Sequence, residues 1–162
     1  MIQRVQTIFL FVVVLSMVLC FFFPIWEKQN TSTQEKTSLN LFSLKYEKKT
    51  EKGEKAAQTT STFYLALLAA AAAATALYSI FRYDNRLTQM KLGLLNSLLM
   101  SIMLALSVYF ITYYGEKSFP KPEFGTYLVS FYLMIAGLIS NLVANRFIRR
   151  DENLVRSSNR MR

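Results

Sequence analysis

The chain has 162 residues, of which 52% are hydrophobic, 14% are aromatic and only 18% are charged. The charged residues, 19 basic and 10 acidic, cluster in short segments between long uncharged runs. Uncharged apolar runs of about 20 residues match the thickness of a bilayer, so this composition excludes an ordinary soluble domain. The absence of His, together with a single Cys, excludes most metal, haem and Ser–His chemistry.

Four uncharged blocks are each long enough to cross a membrane once as a helix, at about residues 5–26, 61–81, 92–114 and 125–145. The sequence therefore predicts an all-α membrane protein, a four-transmembrane-helix bundle that forms one integral membrane domain over residues 1–162. The first block could instead be a signal peptide. Its apolar run is longer than a signal core, however, and no small-x-small cleavage site follows it.

The predicted outer loop, 27–60, has a composition typical of disorder at both ends. Between them, Phe42, Leu44 and Tyr46 alternate with polar residues, as in a half-buried strand. One strand cannot bury itself, so we expect it to lie against the bundle, to form a small hairpin or to extend a partner's sheet. The charged run 47–55 is expected to be solvated.

Small residues on the second, third and fourth helices predict how the bundle packs. Lipid does not drive apolar helices together, whereas close contact through small side chains does. The candidates are Ala69 and Ala73 in an alanine run, and two series at four-residue spacing: Gly93, Ser97, Ser101 and Ala105, then Ala136, Ser140 and Ala144. We expect these residues to form the packing faces of a compact bundle.

Three asparagines interrupt the apolar helices. Asn96 and Asn141 lie at matching depths from the ends of helices three and four that adjoin the basic segments, which predicts an amide hydrogen bond worth about 0.6–2 kcal/mol. Asn145 follows Asn141 by four residues, on the same helix face. Two interpretations stay open, a structural clamp between helices and a polar pocket open to the cytoplasm.

The C-terminal tail, 146–162, combines basic and apolar residues. Phe147, Leu154 and Met161 recur every seven residues and give one apolar stripe on an otherwise basic cytoplasmic helix. Such a helix can lie on anionic lipid or against a protein partner. The residues expected to contact lipid or a partner are Arg86 in the short second loop and, in the tail, Phe147, Arg149, Arg150, Leu154, Arg156 and Met161.

Charge predicts the orientation of the bundle. The two sides carry nearly equal numbers of Lys and Arg, but those near the termini and in 82–91 lie in short segments next to helix ends, where the positive-inside bias operates. We therefore predict that both termini are cytoplasmic. The four spans carry no ionisable residue, and their serines have no base nearby, so we predict no enzyme activity, no cofactor and no metal site.

Four segments carry a family resemblance: the start MIQRVQT, FPIW at 23–26, the segment 81–95 with Asn85, Arg86 and Gln89, and ANRFIRRDENLVRS at 144–157. They resemble a small membrane-protein family of the Bacteroidetes, domain of unknown function 4293. The resemblance covers essentially the whole chain except the outer loop. It implies four spans in the bacterial inner membrane and implies no activity.

Two functions are compatible with these features. The first is a non-catalytic accessory or scaffold subunit of an inner-membrane protein complex. The alternative is a binder or carrier of a lipid-like or apolar small molecule within the helix bundle, with Asn96 and Asn141 as its polar handle. The uncharged spans argue against a third function, an ion channel, because they offer no ring of charged side chains for ion selectivity. The expected partners are membrane lipids and a larger membrane complex, with no nucleic acid.

Overall fold

The computed structural model describes residues 2–30, 35–49, 55–82, 85–118 and 125–160. Within these residues the chain is mostly helical and also forms a five-stranded sheet. The helices are α1 (Ile2–Leu19), α2 (Phe63–Phe81), α3 (Arg86–Phe110) and α4 (Val129–Arg160). The strands are β1 (Trp26–Asn30), β2 (Glu35–Leu39), β3 (Ser43–Lys49), β4 (Lys55–Ser61) and β5 (Thr126–Tyr127). The predicted helical bundle is present, but the all-α class is wrong.

The four helices form an antiparallel bundle in which α1 and α3 each pack against α2 and α4. Phe9 near the start of α1 stacks on Phe147 late in α4, and Gln89 near the start of α3 contacts Ser79 at the end of α2. We call the end of the bundle that carries these contacts the termini end. The opposite end, where the sheet lies, is the sheet end.

On each helix one series of buried residues recurs alternately three and four positions apart. The series are Gln6, Leu10, Val13 and Met17 in α1; Leu65, Ala69, Ala72, Ala76 and Ser79 in α2; Gly93, Asn96, Met100, Met103 and Ser107 in α3; and Met134, Gly137, Asn141, Ala144 and Ile148 in α4. This spacing averages about 3.5 residues, the period at which helices pack side by side at a shallow left-handed angle. Further buried residues lie beside or beyond these series: Ser16, Ala66, Gln89, Ser130 and Asn145.

Of the described helices, three are long and apolar enough to cross a membrane, over Phe63–Phe81, Arg86–Gly115 and Val129–Val155. The apolar part of α1, Val5–Leu19, is shorter. Large apolar side chains stay exposed around the bundle, for example Leu67 at 59% and Leu98 at 58%. An apolar surface of this extent fits a membrane protein.

The ends of three predicted spans belong to the sheet instead, and in the second span this is Ser61 alone, the last residue of β4. Helix α1 ends at Leu19 in a turn closed by the Phe21 and Phe22 N–H groups. It cannot continue to residue 26, because Pro24 has no N–H to donate and Trp26 pairs with β2. The Ile25 N–H donates to the Leu39 carbonyl at 2.8 Å, and Trp26 lies opposite Leu39 in the ladder. The fourth predicted span likewise begins too early, since Thr126–Tyr127 forms β5.

The predicted outer loop supplies four of the five strands of the sheet. The order is β4-β3-β2-β1-β5, and every pairing is antiparallel. Residues 43–49 form β3, so the expected short strand exists around Leu44 and Tyr46, whereas Phe42 precedes the strand and is exposed. The strand extends further than the alternation indicated and has strands on both sides. The expectation of disorder at both ends of 27–60 is therefore wrong for the strands. The expectation that the charged run 47–55 is solvated stays a prediction, and 50–54 lie outside the described residues.

Trp26 and Lys28 join the sheet to the bundle. Gly115 and Gly125 lie against the Trp26 indole so closely that a Cβ on Gly125 would stand 2.0 Å from Trp26 Cζ2, and one on Gly115 would stand 2.7 Å from Cζ3. Lys28, only 3% exposed, places its Nζ 3.1 Å from Glu116 Oε2. These contacts fix the sheet over the end of α3.

Candidate functional site

A group of neighbouring polar residues inside the bundle lies between α2, α3 and α4. Asn141 Nδ2 donates to the Gly93 carbonyl at 2.9 Å and to Ser97 Oγ at 2.8 Å. Asn96 Nδ2 donates to Asn141 Oδ1 at 3.1 Å, and Thr75 Oγ1 lies 3.3 Å from Asn96 Oδ1. We call these five residues the asparagine cluster. The cluster joins α4 to α3 by hydrogen bonds and contacts α2 through Thr75.

The asparagine cluster brings together residues that the sequence singled out separately. Asn96 and Asn141 are 1% and 0% exposed, and their amides meet directly, as their matching depth suggested. Thr75 was not singled out as a member, because a threonine after six alanines reads as one more small packing residue. Its hydroxyl has one proton, and the nearest acceptor is the Ala71 carbonyl of the same helix at 2.6 Å, so the contact with Asn96 is the weaker one.

Asn145 lies next to the cluster but outside its hydrogen-bond network. It is 6% exposed, and its Oδ1 has no hydrogen-bond partner among the described residues. Its amide covers the backbone of Gly93, where an added Cβ would stand 2.7 Å from Asn145 Oδ1. Gly93 therefore lets α4 approach α3 closely, in the way that small residues do in membrane bundles.

The predicted small-residue faces are only partly buried. Ala69, Gly93 and Ala144 are buried, and Ala73, Ser97 and Ser140 are half-buried. Ser101, Ala105 and Ala136 are exposed, so the prediction that they pack between helices is wrong. Residues at four-residue spacing drift around a helix of 3.6 residues per turn by about 40° per step. Ser101 and Ala105 have thus rotated away from the face that holds Gly93.

At the termini end, Arg86 links the start of α3 to α4. Its Nη2 lies 3.2 Å from Asp151 Oδ2, and its Nη1 donates to the Asp151 carbonyl at 3.3 Å. Asn85 caps α3 by accepting a hydrogen bond from the Thr88 N–H at 3.1 Å. A groove of about 600 Å³ opens beside the ion pair, lined by Asn85, Arg86, Leu87, Glu152 and Val155.

The tail of α4 divides into a packed part and an exposed part. Phe147 is half-buried and stacks on Phe9 at 5.9 Å, and Ile148 is buried, so this part of the stripe packs against α1; the predicted contact of Phe147 with lipid or a partner stays a prediction. Leu154 is 51% exposed and Val155 42% exposed. Arg149 and Arg150 are exposed. Arg156 belongs to α4, but its side chain is not among those that the structure describes. Met161 lies outside the described residues.

Two further polar contacts were not predicted from the sequence. Gln89 Nε2 donates to the Ser79 carbonyl at 2.8 Å and joins α3 to α2, and Lys28 pairs with Glu116 across most of the chain. A glutamine near the start of an apolar helix was a usable signal for the first contact. Nothing distinguishes Lys28 from the many other lysines of 27–60, so the second contact could be found only from the fold.

Comparison with known proteins identifies the family. The model of one family, described as a domain of unknown function (DUF4293), matches residues 2–161. No curated protein matches the chain. The matched range covers the bundle, the sheet and the tail of α4 together, which confirms the resemblance found in the sequence. The chain therefore belongs to the DUF4293 family.

Proposed function

We propose that this protein is a non-catalytic accessory or scaffold subunit of a larger complex in the bacterial inner membrane. In this proposal the termini end lies in the cytoplasm, and the partner docks on the tail of α4. The observation that carries the proposal is the exposure of Leu154 and Val155 on a helix that continues well past the apolar core. Exposed arginines precede them, so the surface offers both apolar area and positive charge.

The ion pair at the termini end supports docking of a preformed surface. Arg86 and Asp151 are mostly buried, with 24% and 15% of their side chains exposed, and they fix the tail against α3 about one turn before Leu154. A helix held in place loses less conformational entropy on binding than a free segment does. Docking here would therefore cost less than folding a loose tail onto the partner.

The interior supports a structural role more than ligand binding. Both hydrogens of Asn141 Nδ2 are used, one by Gly93 and one by Ser97, and Asn96 Nδ2 donates to Asn141 Oδ1. The polar handle of the alternative function is thus occupied by the protein itself. The Ser97 and Ser107 hydroxyls donate to carbonyls of their own helix, which is not the geometry of an activated nucleophile.

The decisive experiment is co-purification of the full-length protein from its own membrane in mild detergent. Leu154→Asp removes an exposed apolar side chain and should release the partner while the bundle stays folded. Asn153→Asp is the matched control, since it adds the same charge at an exposed neighbouring position and should retain the partner. Equal recovery of partners with both variants would overturn the docking proposal.

The orientation is tested separately by cysteine labelling in intact cells. The chain has one Cys, the buried Cys20, so Cys20→Ala gives a cysteine-free background. Asn153→Cys should be protected from an impermeant maleimide, and Lys45→Cys, at an exposed site on β3, should react once the reagent reaches the periplasm. The reverse pattern would place the tail outside the cell and refute a cytoplasmic partner.

A further inference from the structure

One face of the sheet extends beyond the bundle and forms the floor of a second groove. On that face Leu44 lies opposite Thr60, and Tyr46 lies opposite Gln58, so four side chains of β3 and β4 point to the same side. The equivalent side of β1 and β2 is closed by the end of α3, through the Lys28–Glu116 pair. The part formed by β3 and β4 is left open.

The wall of this groove comes from the end of α3, where the helix widens into a π-helical turn, Ile111–Gly115. The wall residues are Tyr113, Tyr114 and Lys117. Lys117 Nζ stands 4.3 Å from the centre of the Tyr113 ring, and this ring stacks on Tyr109 at 4.8 Å. Single π-helical turns occur frequently at functional sites, because they redirect the side chains that follow.

The chemistry of the groove suits an anionic, hydroxyl-bearing group. Its volume is about 440 Å³, and it offers two hydroxyl-bearing tyrosine rings on one wall, the Gln58 amide, the Thr60 hydroxyl and one ammonium. No carboxylate of a described residue is paired with Lys117, so its charge is neutralised by none of them. An ammonium beside hydroxyl and amide groups can bind a phosphate and its neighbouring hydroxyls.

The position of the groove identifies the source of that phosphate. The apolar span that contains α3 ends at Gly115, so Tyr113 and Tyr114 lie at the depth of the lipid headgroups. Below them, Val108 and Tyr109 are 41% and 46% exposed and lead along the helix from the hydrocarbon region to the groove. A membrane lipid can place its chains along this strip while its headgroup reaches Lys117.

We propose that the groove between β3, β4 and the end of α3 is a binding site for the phosphate-bearing headgroup of an anionic membrane phospholipid. Lys117 binds the phosphate, and Gln58, Thr60 and Tyr46 bind the headgroup hydroxyls. The site does not depend on a protein partner, and it holds for either orientation of the bundle, so it stands apart from the docking surface on α4.

Native mass spectrometry of the full-length protein in detergent tests this proposal, with phosphatidylglycerol and phosphatidylcholine of the same chain length as probes. We expect phosphatidylglycerol to bind more tightly. Lys117→Gln should weaken its binding about tenfold, the loss expected for one charge-assisted contact. Lys45→Gln is the matched control: Lys45 is exposed between Leu44 and Tyr46, on the opposite face of β3, and its loss should change nothing.

Three outcomes would overturn the site. One is equal binding by wild type and Lys117→Gln, and a second is an equal loss with Lys45→Gln, which would indicate a general charge effect. The third is displacement of the lipid by soluble glycerol phosphate at the lipid's own concentration, which would make the ligand a free phosphate ester. Should Lys117→Gln fail to fold, Thr60→Val on the edge strand replaces it, with weaker phosphatidylglycerol binding expected again.

Discussion

Replacing Asn141 with Leu tests whether the asparagine cluster holds the bundle together. The substitution keeps a side chain of similar size in a position that is 0% exposed, so it creates little empty space. It removes three hydrogen bonds, to the Gly93 carbonyl, to Ser97 Oγ and from Asn96 Nδ2. Each of them crosses from α4 to α3, so the loss falls on one helix interface.

The expected cost follows from what such bonds contribute in membranes. Hydrogen bonds between membrane helices average about 0.6 kcal/mol each and reach about 1.7 kcal/mol. Three of them therefore predict that Asn141→Leu lowers the free energy of unfolding by about 2 kcal/mol, or roughly a thirtyfold change in the unfolding equilibrium. Asn96→Leu removes one bond of this set, the one to Asn141 Oδ1, together with the contact of Asn96 with Thr75. The double variant should therefore lose less than the sum of the two single losses, by about the 0.6 kcal/mol of the shared bond.

Unfolding in mixed detergent and dodecyl sulfate micelles measures this free energy, with the fluorescence of the single, fully buried Trp26 as the probe. Asn153→Leu is the control, because it makes the same chemical change at an exposed position of the same helix. A loss for Asn141→Leu no larger than for Asn153→Leu, or below about 0.5 kcal/mol, would refute the view that these bonds stabilise the bundle.

Two further substitutions test the packing around the cluster and at the sheet. Ser97→Leu should cost about 1–3 kcal/mol in the same assay through overpacking, whereas Ser101→Leu, one turn further on an exposed face, should stay within about 0.5 kcal/mol. Equal effects of the two would contradict the burial pattern of α3. Gly125→Ala places a Cβ 2.0 Å from Trp26 Cζ2. It should lower the free energy of unfolding by at least about 1–3 kcal/mol and shift the Trp26 emission. An unchanged spectrum and stability would show that the indole has room to move.

The sequence predicted the bundle well because the physics of the helices is local. Uncharged runs of sufficient length must satisfy their own backbone as helices in lipid, so α2, α3 and α4 could be located from composition alone. The Asn96–Asn141 contact could also be anticipated, because an antiparallel hairpin brings equal depths together. The number of spans stays a prediction, since the apolar part of α1 is shorter than the other three helices.

The sheet could not be predicted because its buried face is largely polar. In β1 the inward residues are Trp26, Lys28 and Asn30, and in β2 they are Glu35, Thr37 and Leu39. A search for alternating apolar residues cannot recognise Lys28 or Glu35 as buried positions. Burial of Lys28 becomes acceptable only when Glu116, distant in sequence, supplies a carboxylate at 3.1 Å.

The small-residue stripes were misread for a geometric reason. A series at constant four-residue spacing winds around the helix, while the neighbouring helix contacts positions that alternate between three and four residues. On α3 the stripe and the contact face coincide only near Gly93 and Ser97. Beyond that point Met100 and Met103 occupy the interface, and their flexible thioether side chains fill it where Ser101 and Ala105 face outward.

The polar contacts between α3 and α4 also determine the register of these two helices along their axes. Apolar contact alone specifies the longitudinal register of two membrane helices weakly, because a slip of one turn, about 5.4 Å, replaces one apolar pair by another. Such a slip would break the bonds of Asn141 and the pair of Arg86 with Asp151 at once. The asparagine cluster and the ion pair therefore fix the register of α4 against α3. This register determines where Leu154 lies relative to the start of α3. In the proposed docking on the tail of α4, substitutions in the asparagine cluster such as Asn141→Leu should therefore weaken partner binding, although they change no residue of the docking surface.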